Sequence, residues 1–230
     1  MARASGGGDG AHRRSPIPVA PDRLADVIAE RLAAAGTGPE GGAHPVLRVL
    51  VDGAPAADPD RLADALVDPL RVLGRPALRV SARWFLRPAS LRFERGRTDP
   101  DALREDWVDV AALRREVLDR VVDDGRYLPT LWDPDVDRAT RADYAAAPPG
   151  AVLILDGSLL LGRGLPVDMS VHLRLSEAAL ARRTPDAEHW TLPAYARYDA
   201  EVEPDRIADV VVRMDDPRHP AIRWPPPSRR

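Results

Sequence analysis

Two largely apolar runs, Val46–Val51 and Ala151–Leu155, each stop at an Asp-Gly pair, and no other feature of this chain limits its fold so tightly. A strand without polar alternation has no solvent face, so both of its faces must be covered by helices. Helical spacing supplies the covers. Arg61–Leu73, Val110–Val122, Glu177–Arg183 and Pro193–Val202 read as helices, whereas Ala77–Ser81, Asp168–Leu175 and Ala208–Arg213 read as further strands. This alternation predicts an α/β fold of three layers, with a mostly parallel sheet between helices. A length of 230 residues with 44% hydrophobic content predicts one core.

The organisation around that core follows from composition shifts. Residues 1–20 are rich in Gly, Ala, Arg, Ser and Pro without periodicity and read as a disordered tail. Pro21–Ala35 places Leu24, Val27, Ile28 and Leu32 at helical spacing behind a Pro-Asp start, predicting an amphipathic helix. A Gly/Pro-rich linker, 36–45, leads into the first long strand. The domain is expected over 21–222, followed by a Pro/Arg-rich tail at 223–230.

Composition excludes several functions. A net charge of −3 and a pI near 6.0 argue against nucleic-acid and membrane-surface partners. Cysteine is absent, which removes disulfides, thiolate nucleophiles and the usual zinc sites. Neither a bilayer-spanning run nor a secretory leader is visible, so a cytoplasmic protein is expected. The five histidines lack ligand spacing, and Ser158 lacks a nucleophile elbow. All 33 basic residues are arginine, so no reaction that needs a lysine can occur here.

In a parallel sheet, ligands bind beyond the carboxyl ends of the strands, so the segments after each strand carry the chemistry. The stretch from Val46 to Leu66 runs strand, glycine, small-residue loop, helix, which is the frame of a phosphate-binding loop of the GxxxxGK[ST] kind. Gly53 matches its first glycine. Asp58, Pro59 and Asp60, followed by Arg61, stand where the second glycine, the lysine and the hydroxyl residue belong. Further along, Arg79–Pro88, Arg92–Val121, Ala151–Gly157, Ser170–Arg183 and Ala208–Pro217 follow in the order and spacing of the uridine kinases. From about Val46 to Ile222 the chain therefore resembles that branch of the P-loop kinases.

The resemblance implies ATP- and Mg²⁺-dependent phosphorylation of a nucleoside 5′-hydroxyl. It implies Asp156 as a metal-side acid and Arg182 and Arg183 as lid arginines on phosphate, all three in catalytic positions. It also implies Phe85, Arg92, Arg95 and Arg138 in the nucleoside-binding segments. Plainer roles stand beside these. Asp156-Gly157 could simply form a turn, and Arg182 and Arg183 could complement a helix C-terminus.

Phosphoryl transfer needs amides and a lysine on the phosphates, a hydroxyl and an acid on the metal, and a base at the acceptor. Asp58, Pro59 and Asp60 remove the lysine and the hydroxyl. Each added carboxylate, at about 5 Å and an effective dielectric near 20, would oppose a phosphate charge by roughly 3 kcal/mol before screening. At the acceptor turn Arg83, Trp84 and Phe85 stand where a carboxylate pair and an aromatic are expected. The same three loop residues suit a helix start, with Asp58 as N-cap, Pro59 in the first turn and Asp60 against the dipole. Two functions follow: an impaired nucleoside kinase, or a non-catalytic relative that binds a nucleoside, a nucleotide or a protein partner.

Overall fold

The computed structural model describes residues 15–35 and 46–224. The 36–45 linker and most of both terminal segments lie outside the described residues. Seven strands form the main sheet: β1 Ile17–Pro18, β2 Leu47–Gly53, β3 Ala77–Ser81, β4 Val152–Gly157, β5 Met169–Arg174, β6 Val210–Arg213 and β7 Ala221–Arg223. Their order across the sheet is β1-β7-β6-β5-β2-β4-β3. The five strands from β6 to β3 are parallel, and β7 and β1 are added antiparallel at one edge. The expected three-layer, mostly parallel fold is the observed one.

The apolar runs explain the centre. Val49, Val51, Leu153, Ile154, Leu155, Val171 and Val212 are completely buried, as strands covered on both faces require. Helix α1 (Leu24–Ala35) buries Ile28 and Leu32 and packs on α3 (Val67–Val72). The single helix expected over Arg61–Leu73 is two: α2 (Pro59–Ala65) and α3. Pro69 is the reason, because it has no amide to donate to Ala65 and its ring crowds that carbonyl. The helix at 110–123, α4, contains a π-helical segment, Leu113–Asp119. Helices α5 (Glu177–Arg183) and α6 (Leu192–Val202) follow β5.

The reading of residues 1–20 as a tail is corrected for its described part. Ile17 and Pro18 pair with Ile222 and Ala221, and the Val19 amide donates to Pro220 O at 2.9 Å. Two residues are too few to show a period-2 pattern, so this strand left no signal in the sequence.

Topology places the site. The chain leaves β2 towards β3 on one side and leaves β5 towards β6 on the other. Neighbouring strands with diverging crossovers open a crevice at their carboxyl ends, here beyond Gly53 and Arg174.

Candidate functional site

The loop after β2 holds itself shut. Pro55–Ala57 form a 3-10 turn in which the Ala57 amide donates to Ala54 O at 2.8 Å and the Asp58 amide to Pro55 O at 3.0 Å. Pro55 and Pro59 have no amide hydrogen. Of the loop positions from which amides could converge on an anion, two are thus without a hydrogen and two are bonded within the loop. Gly53 is required by packing, since a Cβ there would lie 2.9 Å from Leu173 Cβ on β5.

Pro59 occupies the first position of α2, as expected, and Asp60 lies exposed in its first turn. The expected cap at Asp58 is not formed. Asp58 sits at the N-cap in the left-handed region (φ 56°, ψ 54°), and its side chain makes no capping bond. In that backbone its carboxylate turns away from the α2 amides and faces Arg183, with Oδ2 at 3.5 Å from Nη2. Arg183 also donates from Nη1 to Met214 O at 2.9 Å.

Two cavities flank the loop. A cleft of about 700 Å³ is lined by Ala54, Pro55, Arg83, Trp107, Arg183 and Trp190, among others. The two indoles lie with ring centres 5.7 Å apart and planes inclined by 48°. On the other side a groove of about 300 Å³ runs between α1 and α2, bounded by Leu24, Arg61, Leu62 and Met214. Asp58 lines both. Asp58, at the head of α2, is therefore shared by the walls of two ligand-sized spaces.

Asp156, the penultimate residue of β4, is 3% exposed and does not line the cleft. Register puts Ser81 opposite Asp156 and Arg79 opposite Ile154, so all three side chains share one face of the sheet. Ser81 Oγ donates to Asp156 Oδ2 at 2.9 Å, and Arg79 Nη2 lies 3.1 Å from Oδ1. Burial pushes the Asp156 carboxyl above the ordinary carboxylate range, and Arg79 and Ser81 only partly offset this.

A second polar cluster lies on the opposite face and was not apparent from the sequence. Asp52, fully buried, accepts from the Leu160 amide at 2.9 Å and from Tyr198 Oη at 3.0 Å, and meets His172 Nδ1 at 2.9 Å. Tyr198 Oη in turn accepts from the Leu161 amide at 3.0 Å. Burial and the Asp52 charge raise the Tyr198 phenol, which keeps it a donor. In the sequence Asp52 marks only the end of an apolar run, and its partners are 108 to 146 residues away in the chain.

The remaining site candidates are dispersed. Phe85 is fully buried in the core and cannot touch a ligand in the cleft. Arg92 is buried too, donating to Arg87 O at 2.8 Å with its guanidinium over Phe93 and Trp107, so it supports the cleft wall from behind. Arg95 pairs with Asp106, and Arg138 lies exposed in a two-residue strand. Arg182 is exposed and outside the cleft lining, leaving Arg183 as the helix arginine that reaches the loop. Arg83 lines the cleft and pairs with Asp135.

The residues present do not fit Mg²⁺ and a nucleoside triphosphate. Two loop amides are spent internally, the Asp58 carboxylate stands at the head of α2, and the acid expected on the metal is ion-paired with Arg79 and accepts a hydrogen bond from Ser81. Among the described residues no three acidic or histidine side chains converge as a metal site.

No protein-family model matches the sequence, and no curated protein matches it. Solved structures do. A possible uridine kinase from Bacillus stearothermophilus superposes with a TM-score of 0.66 at 17% identity, over 81% of this chain and 96% of that one. D-glycerate 3-kinase from Cryptococcus neoformans superposes with a TM-score of 0.52 at 15% identity, over 80% of each chain. At such identities the likeness concerns the path of the chain and not its chemistry.

Proposed function

On the premise that this chain has the fold of the P-loop kinases, we propose that it is a non-catalytic relative of the nucleoside kinases, which keeps the acceptor cleft and has given up phosphoryl transfer. The observation that carries this reading is Asp58: a carboxylate at the head of α2, between the two cavities and paired with Arg183. It supplies negative charge where a phosphate would bring it, and it neutralises the arginine that would receive that phosphate.

The ligand class follows from what the cleft still offers. Trp107 and Trp190 present aromatic surface for a planar ring, while at the loop end Asp58 offsets the charge of Arg183 that would attract a phosphate. A nucleoside-sized ligand without phosphate matches these walls. Asp156 and Arg183 are the remnants of the transfer machinery in this proposal, and ATP and Mg²⁺ play no part in it.

Calorimetry with uridine, UMP and ATP, each with and without Mg²⁺, tests it, together with an assay of uridine phosphorylation using labelled ATP. Nucleoside binding should exceed nucleotide binding, and phosphorylation should remain at background. Robust Mg²⁺-dependent formation of a nucleoside monophosphate, abolished by Asp156→Ala, would overturn the proposal.

A further inference from the structure

The misfit between this site and a divalent ion has a positive counterpart in Arg79. Its guanidinium lies among three acidic residues: Nη2 is 3.1 Å from Asp156 Oδ1 and 3.3 Å from the Asp60 carbonyl oxygen, and Nη1 is 3.1 Å from Asp64 Oδ1. The arrangement joins β3, β4 and α2, the three elements that meet under the loop. Asp156 is almost completely buried, whereas Asp64 is largely exposed. A buried carboxylate that must stay ionised needs a cation close by. Here that cation is a side chain, delivered by the strand next to Asp156.

We propose that Arg79 is a resident cation that substitutes for a divalent ion at Asp156, so that the protein is built to work without metal at this position. Arginine suits the task. It stays charged at every physiological pH, and its planar fork reaches two carboxylates at once. Register adds specificity: Arg79 is two residues before Ser81 on the same face, so one strand supplies Asp156 with both a cation and a hydroxyl donor. With the guanidinium in place, the carboxylates of Asp64 and Asp156 and the backbone carbonyl of Asp60 all face its nitrogens. The inference concerns the same loop as the proposed function and does not depend on it, because the ion is probed without nucleoside or nucleotide.

The test is a Mn²⁺ titration of the full chain, following free Mn²⁺ by electron paramagnetic resonance. Wild type should show no Asp156-dependent site. Arg79→Met should bind one ion at least about ten-fold more tightly than wild type, the scale on which metal-site changes usually act, and Arg79→Met with Asp156→Asn should lose it. Circular dichroism checks folding, and Arg79→Gln, which keeps a polar stem, replaces Arg79→Met if that variant does not fold. A Mn²⁺ site in wild type that disappears in Asp156→Asn overturns the proposal. So does a folded, uncharged Arg79 variant that binds Mn²⁺ no better than wild type.

Discussion

Asp58 and Arg183 face each other at 3.5 Å on the wall of the cleft, each partly exposed, and Asp58 also borders the groove. An ion pair so open to water contributes only a fraction of a kcal/mol to stability, so its effect is on what can bind. Asp58 balances the charge of Arg183, and on the proposed function it also disfavours anions at the head of α2.

Replacing that charge should therefore alter anion affinity far more than folding. Asp58→Asn is expected to raise the affinity for inorganic phosphate several-fold, with a change in unfolding free energy within about 0.5 kcal/mol. Calorimetry and urea denaturation measure the two quantities. Asp58→Gly should be at least as stable as wild type, since glycine accepts the left-handed backbone freely. Asp58→Ala should lose about 1 kcal/mol for the same reason.

The Asp52 cluster predicts a purely structural loss. Tyr198→Phe removes the hydroxyl that bridges Asp52 and the Leu161 amide, leaving a buried donor without its partner. The expected cost is about 1–3 kcal/mol, read as a lower urea midpoint at unchanged slope. Asp52→Ala should cost more, because Leu160 N, Tyr198 Oη and His172 lose their shared acceptor together.

Asp156 predicts a pH signature. Its carboxyl is raised by burial in the folded protein, with Arg79 and Ser81 opposing the rise and the nearby Asp60 charge adding to it. In the window between the unfolded value of 3.8 and the raised folded value, the folded state binds the proton more tightly. Stability from this group therefore falls as pH rises through that window. Measured by urea denaturation from pH 4 to pH 7, the stability of Asp156→Asn relative to wild type should climb with pH and then level off. A difference that is flat or falls with pH would contradict the assignment.

Much of the frame could be read from the chain because burial leaves a local trace. Ala77–Ser81 and Glu177–Arg183 were read to the residue, and the other parallel strands to within two residues at each end. The break at Leu66 leaves no mark in the apolar spacing, which continues through it, and only Pro69 signals it. The site was less legible. That Asp58 would stand at the start of α2 followed from residue type, but its left-handed backbone and its turn towards Arg183 did not. Ion pairs such as Arg79 with Asp156 join separate strands, and no local spacing records which arginine of 33 basic residues meets which acid.

The β1–β7 pairing bears on what one edge of the sheet offers to another chain. An outermost strand is a template for another chain, and here it is two residues long, carries Pro18 and follows Pro16, neither with an amide hydrogen to offer. Cutting the chain before Pro21 would remove that proline guard and leave Ala221–Arg223 as a bare rim with unpaired amides and carbonyls, open to recruitment by a neighbouring molecule.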